Sequence, residues 1–239
     1  MMILVRSVLF NILFFLWTFG FGWMVVVPGL VGPREWTQKF ARLWTRGILL
    51  LLRGITGIRH DIRGLENLPQ GPVIVAAKHQ SAWDTLVFHT FLDDPVFIMK
   101  RELFAIPIIG WLMHKSGAIG IDRSKGARAL KRMAEGARRA RTNGSQLIVF
   151  PEGTRTPVGQ TAVYHPGVAM LYRDLSLPVV PIALNSGLFW GRRSFRKRPG
   201  RIVLEILPPM PAGLERHVFM AELHSRIESA SQRLAMPVS

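Results

Sequence analysis

A histidine and an aspartate stand five residues apart in the segment Lys78-His79-Gln80-Ser81-Ala82-Trp83-Asp84. A carboxylate that grips an imidazole orients it and stabilises its protonated form, which makes the histidine a general base. In a regular helix five residues amount to about 500° of rotation, so the two side chains would not share a face. The pair therefore works only if His79 lies in the turn before a helix and Asp84 points back from that helix's first turn. The plainer reading is a packed histidine beside an aspartate suited to a helix N-terminus. Ser81 is a poor candidate nucleophile, because no Gly-x-Ser-x-Gly elbow surrounds it.

Three further segments carry chemistry-bearing side chains. Phe150-Pro151-Glu152-Gly153-Thr154-Arg155-Thr156 follows the apolar run Leu147 to Phe150 and gathers a carboxylate, a glycine, a hydroxyl and a guanidinium at a strand end. Arg155 can fork onto a phosphate, and Gly153 permits close backbone approach. Gly117 to Arg123 ends in an acid–arginine pair, Asp122-Arg123, which makes Arg123 a second candidate phosphate ligand. Val179 to Ser186 reads as a buried strand, followed by Phe189, Trp190, Arg192, Arg193, Phe195, Arg196, Lys197 and Arg198. Interleaved aromatics and bases suit nucleic-acid bases or anionic headgroups.

Composition chooses between those partners. The 239 residues hold 31 Lys plus Arg against 15 acidic residues, a formal charge of +16. Such a surplus points to an anionic partner. Yet 49% of residues are apolar and the mean hydropathy is +0.22. Basic and apolar together favour an anionic bilayer, and no nucleic-acid partner is expected. The chain has no cysteine, which excludes disulfides, thiolate metal sites and a cysteine nucleophile. His79, Asp84, Glu152 and His165 could converge on an ion, but no His-Glu-x-x-His spacing is present, so no metal is expected.

The elements that must position these residues follow from periodicity. No charge occurs from Ser7 to Pro33, and Val8 to Val27 is long enough to cross a bilayer, although Asn11 and Gly20-Phe21-Gly22 weaken it. It is longer than a signal peptide's apolar region and lacks a small-x-small cleavage site. Arg34 to Arg53 reads as a basic amphipathic helix. Either the first segment spans, or the two form a hairpin dipping into one leaflet. Positive charge after the apolar run (Arg34, Lys39, Arg42, Arg46, Arg53, against Arg6 before it) puts the remainder on the cytoplasmic side. Strands are expected at 73–77, 96–99, 118–121, 146–150, 179–184 and 201–207, and helices at 82–92, 106–115, 125–141, 166–174 and 212–233. The expected fold is α/β: a layered mixed sheet flanked by helices. An N-terminal two-helix membrane element (1–58) precedes a cytoplasmic domain (59–239).

In this order and spacing the segments resemble the glycerolipid acyltransferase family, most of all bacterial lysophosphatidate acyltransferases of the PlsC type. His79 and Asp84 match that family's His-x4-Asp block. Asp122-Arg123 matches the end of its second block, Phe150 to Arg155 its Phe-Pro-Glu-Gly-Thr-Arg block, and the strand around Pro181 its fourth. The resemblance covers Leu65 to Pro209. Lys78 stands where the family often has Asn, and Gly120 where an aromatic often precedes Ile-Asp-Arg. The resemblance implies acyl transfer from acyl-CoA or acyl carrier protein to the free hydroxyl of lysophosphatidate, giving phosphatidate at the bacterial inner membrane. His79 and Asp84 would be catalytic, while Lys100, Arg123 and Arg155 would bind the acceptor phosphate in a site shaped by Glu152, Gly153 and Thr154. No cofactor beyond the donor substrate is implied. Two alternatives stay open: another acceptor, such as glycerol-3-phosphate or a lyso-aminolipid, and a non-catalytic basic binder of membrane or nucleic acid.

Overall fold

The computed structural model describes residues 1–236, apart from the side chains of Leu30 and Arg123. Seven strands form one sheet: β1 (Ile58–Arg63), β2 (Val73–Ala77), β3 (Pro95–Lys100), β4 (Ile119–Ile121), β5 (Gln146–Val149), β6 (Val179–Leu184) and β7 (Gly200–Ile206). Their order is β1-β7-β6-β2-β5-β3-β4. The five strands from β6 to β4 are mutually parallel, β7 runs antiparallel to β6, and β1 lies parallel to β7. Every residue of β2, β5 and β6 is buried, as expected of parallel strands covered on both faces. The parallel arrangement delivers the C-terminal ends of β2 to β6 to a single edge, where open α/β sheets place their sites.

Helices cover both faces. On one side α5 (Gly126–Thr142), α6 (Gly167–Leu175) and α7 (Arg216–Ala235) bury Met133, Leu171, Phe219 and Leu223 against Ile74 and Leu147. On the other, α1 (Met2–Val31), α2 (Arg34–Leu51) and α3 (Trp83–Phe91) bury Phe10, Ile48, Trp83 and Phe88 against Val75 and Ile148. α4 (Ile109–Lys115) begins later than the expected 106, because Pro107 and the positive φ of Ile108 (65°) interrupt the turn before it. β1 was not anticipated: its sequence IRHDIR shows only partial burial, as suits a strand at the sheet's edge.

α1 is a continuous 30-residue helix, unbroken at Gly20 and Gly22. Among the described residues it is the one helix long and apolar enough to cross a membrane. Both of its ends are fastened to the same sheet domain. Near the start, Ser7 Oγ accepts the Lys197 amide at 2.9 Å and Asn11 Oδ1 accepts from Lys197 Nζ at 2.9 Å. At the far end, Lys115 Nζ donates to the Gly29 carbonyl at 2.6 Å. Ser7 to Gly29 is about 33 Å of helix at 1.5 Å per residue, so α1 lies across the domain rather than projecting from it. Ile12, Phe15, Leu16, Phe19, Trp23 and Val27 recur every three or four residues, and all are exposed. They form an outward apolar stripe. On α2 the exposed side carries Trp36, Leu43 and Leu50 with Lys39 and Arg46, and the exposed Arg53 follows just beyond its end.

The two helices meet closely at Gly47, where an added Cβ would stand 2.4 Å from Trp17 Cε2. The Trp17 indole is fixed there by donating to the Trp44 carbonyl at 3.0 Å. Alanine for glycine inside a helix ordinarily stabilises by about 1 kcal/mol. Here Gly47→Ala is expected to destabilise, by about 1–3 kcal/mol from overpacking. Chemical unfolding in detergent checks the sign; a stabilised variant would contradict this packing.

Candidate active site

β2 ends at Ala77, and the chain turns through Lys78 to Ala82 before α3 begins. Asp84, in the first turn of α3, is fully buried. Its Oδ2 accepts the amides of Gln80 at 2.6 Å and Ser81 at 2.8 Å, and lies 3.0 Å from His79 Nδ1. Its Oδ1 accepts the Ser186 hydroxyl at 2.5 Å. An ionised carboxylate only accepts, so the proton between Asp84 and the ring belongs to Nδ1. In a neutral ring so held, Nε2 is the nitrogen left free to accept a proton. The Phe150 ring stacks on the imidazole, with centroids 4.0 Å apart and planes 18° apart. Held by its edge and one face, the His79 ring keeps 12% of its side-chain surface accessible. Ser81 is buried and its hydroxyl accepts the Trp83 amide at 3.1 Å, the role of a turn-closing group rather than a nucleophile.

The loop after β5 is bound to the same turn. The Glu152 carboxylate accepts the His79 amide at 2.7 Å, and the Thr156 amide donates to the His79 carbonyl at 2.7 Å. Gly153 adopts φ +69°, a conformation that favours glycine, where the loop reverses. Beyond it Thr154 is exposed and Arg155 half-buried, and the Arg155 guanidinium has no hydrogen bond or ion pair among the described residues. Lys100 closes β3, is exposed, and pairs in register with Ile121 at the end of β4, one residue before Asp122-Arg123. The Arg123 side chain lies outside the described part. Lys100, Arg123 and Arg155 thus come from neighbouring strand ends on the β4 side of His79.

Glu152 does not face that cluster. It is 97% buried, and its second oxygen is 2.7 Å from Lys78 Nζ. With one oxygen on the His79 amide and the other in an ion pair with Lys78, it supports the His79 turn from within. Lys78, also buried, donates to both Glu228 oxygens at 2.8 Å, and Tyr164 donates to one of them at 2.9 Å. This inward cluster pins α7 beneath the histidine. Burial pushes Glu152 up to about 7, against the opposing pull of Lys78 and of the His79 amide. Burial and the Glu228 carboxylate raise the Tyr164 hydroxyl, which stays a donor.

A family model described as Acyltransferase matches residues 59–185, from β1 to the end of β6. The chain belongs to the acyltransferase family. A Pseudomonas aeruginosa protein named 1-acyl-sn-glycerol-3-phosphate acyltransferase is 36% identical over 226 residues, covering 94% of this chain and 88% of that one. The Homo sapiens protein named 1-acyl-sn-glycerol-3-phosphate acyltransferase alpha is 31% identical over 208 residues, covering 83% and 72%. The crystal structure of the 1-acyl-sn-glycerophosphate (LPA) acyltransferase PlsC from Thermotoga maritima matches with a TM-score of 0.79 over 98% of both chains, at 23% identity. That likeness concerns the fold.

Against the family pattern, both departures have a local cause. Lys78 compensates the Glu152 and Glu228 carboxylates. At Gly120 a Cβ would lie 2.9 Å from Phe104 Cε2, so the Phe104 ring fills the space that a larger side chain at 120 would need. No group of three or more His, Cys, Asp or Glu placed to hold a metal ion occurs among the described residues. Phe150, Ser186, Glu228 and Tyr164 were not identified as supporting residues from sequence. Ser186 and Glu228 act across sequence distances that no local spacing reports.

Because folded Glu152 keeps its proton up to about 7, against an ordinary value of 4.5, the folded state binds more protons than the unfolded one between those pH values. Its contribution to stability is therefore full below about 4.5 and is lost as pH rises through about 7, on the order of 3 kcal/mol in all. Glu152→Gln is expected to remove this part of the pH slope. Unfolding free energies at pH 5 and pH 7.5 check it, and equal slopes in the two proteins would contradict it.

Proposed function

We propose that this acyltransferase moves a fatty acyl group from a thioester, acyl-CoA or acyl carrier protein, to the free sn-2 hydroxyl of lysophosphatidate, producing phosphatidate. The observation that carries the reading is the His79 ring anchored through Nδ1 to the buried Asp84 carboxylate, beside strand ends bearing Lys100, Arg123 and Arg155. Nε2 takes the acceptor hydroxyl's proton as the oxygen attacks the thioester carbonyl. Asp84 stabilises the imidazolium so formed, and Nε2 returns that proton to the departing thiolate. No enzyme nucleophile is needed. Lys100, Arg123 and Arg155 bind the acceptor's phosphate through charge-assisted hydrogen bonds, and this holds the hydroxyl near Nε2.

The acceptor and product are lipids, and α1 supplies the contact with their bilayer. A helix fastened at both ends to one domain cannot carry residues 8–27 across some 30 Å of hydrocarbon while that domain stays on one side. The hairpin therefore lies in one leaflet, its apolar stripe toward the acyl chains and Lys39, Arg46 and Arg53 at the headgroups. In a bacterial cell this is the cytoplasmic face of the inner membrane.

Incubation with acyl-CoA and lysophosphatidate, with phosphatidate as the readout, tests the activity. His79→Ala is expected to lower turnover by about 10²–10⁴-fold while binding to anionic vesicles is retained. Near-full activity of this variant would overturn the assignment.

A further inference from the structure

His79 lies on β2, and the sheet order places cations on both sides of it. Toward β5, β3 and β4 are Lys100, Arg123 and Arg155, the group assigned to the acceptor phosphate. Toward β6 is a second cationic site that the acceptor does not use. A cleft of about 300 Å³ opens there, lined by Gln80, Pro157, Val158, Gly187, Arg192 and Arg198 among others. Its walls are the loops that build the catalytic turn. Gln80 is covalently next to His79, and its amide donates to Asp84. Pro157 follows Thr156, whose amide holds the His79 carbonyl. Gly187 follows Ser186, whose hydroxyl holds Asp84.

The inner wall is built to close tolerances. The Gly187 amide donates to Gln80 Oε1 at 3.0 Å, and a Cβ on Gly187 would stand 2.7 Å from Val158 Cγ2. On the other wall Arg192 and Arg198 are exposed, and the backbone that carries Arg198 is held in place. The Arg198 amide donates to the Phe189 carbonyl at 2.8 Å, and the neighbouring Lys197 is fastened to α1. The guanidinium groups of Arg192 and Arg198 have no hydrogen bond or ion pair among the described residues. Two arginines without ion pairs, lining a cleft that also includes Gln80, the residue after His79, suit a ligand with a phosphate at one end and a reactive group at the other.

Both donors considered above have that form, since their thioester sits at the end of a phosphopantetheine arm. We propose that the cleft closed by Arg192 and Arg198 binds the phosphate end of the donor's phosphopantetheine arm, so that donor and acceptor phosphates occupy opposite flanks of His79. The inference rests on His79 being the transfer site. It specifies that the cations at 155 and 192/198 serve different substrates.

The test is donor binding and donor kinetics with the full chain in detergent. Free CoA and free pantetheine, which lacks the phosphates, are titrated into the wild type, the Arg192→Ala/Arg198→Ala double variant and His79→Ala. CoA affinity is expected to fall about 10–100-fold in the double variant and to stay unchanged in His79→Ala, with pantetheine binding equal in all three. With lysophosphatidate as acceptor, the double variant is expected to show a KM for acyl-CoA raised by the same factor, an unchanged KM for lysophosphatidate, and unchanged kcat/KM for an acyl-pantetheine donor. A parallel loss with acyl carrier protein supports the shared arm phosphate as the ligand, and a loss with acyl-CoA alone would overturn it in favour of the nucleotide's phosphates. Unchanged CoA affinity, a raised lysophosphatidate KM, or a defect only in vesicle binding would each overturn the proposal. The CoA titration decides it whatever the acceptor is. Failure of phosphatidate synthesis in the wild type would count against the acceptor assignment and leave that titration to judge the cleft.

Discussion

The buried carboxylate of Asp84 is the interaction on which the rest of the site depends. An ionised carboxylate out of water is costly unless its lone pairs are occupied. Here two amides from its own turn, a hydroxyl from the loop after β6 and an imidazole nitrogen occupy them. Each donor is a structural commitment. The amides of Gln80 and Ser81 fix the turn between β2 and α3, and Ser186 ties that turn to β6. Only then does the histidine meet the one acceptor that sets its tautomer. A carboxylate with a spare lone pair, or a turn free to relax, would leave the ring's basic nitrogen undirected.

The turn is braced from below as strongly as it is gripped from the side. Glu152 holds the His79 amide, Lys78 holds Glu152, and Glu228 on α7 holds Lys78. These buried charges add little net stability beside well-packed apolar groups. They do define a distance and a direction, because an ammonium between two carboxylates allows little displacement. On the opposite face of the sheet the hairpin of α1 and α2 packs into the core that includes Trp83 of α3. The His79 turn is thus clamped between α7 and the α1–α2 pair, which carries an exposed apolar stripe. His79 and that stripe share a frame because α1 and α2 belong to the same packed body.

Much of this was legible in the sequence, and the exceptions have physical reasons. The run Val73 to Ala77 and the pair His79 and Asp84 could be placed because a buried parallel strand is uniformly apolar and a helix start has its own chemistry. β1 escaped notice because an edge strand spelled Ile-Arg-His-Asp-Ile-Arg has no apolar run. The start of α4 was placed too early because hydrophobic periodicity continues through Pro107 and Ile108 while the backbone does not. Lys78 read as a mere departure from a family pattern. A lysine at a strand end suggests solvent, and only a contact 150 residues away makes it a buried counter-ion. Hydropathy likewise marked residues 8–27 as apolar enough to span. It could not register that Ser7 and Asn11 at one end and the Gly29 carbonyl at the other are held by lysines of the same domain. Glu152 is recognisable in its motif, but spacing gives no sign of which way a side chain turns at a loop, and its partners, the His79 amide and Lys78, emerge only from the fold.

The mechanism depends on whether the charge of Asp84 supports the His79 ring as a base. Asp84→Asn tests this most directly, because the Gln80 and Ser81 amides and Nδ1 share one oxygen, which the asparagine carbonyl replaces, while its NH₂ faces the Ser186 hydroxyl, which can accept. The ring keeps its orientation and loses the negative charge that stabilises the imidazolium. Steady-state kinetics should then show turnover reduced by about 10³–10⁴-fold, with KM values for both substrates nearly unchanged. Turnover within a few-fold of the wild type would show that the carboxylate only shapes the turn, and the mechanism drawn from it would be wrong.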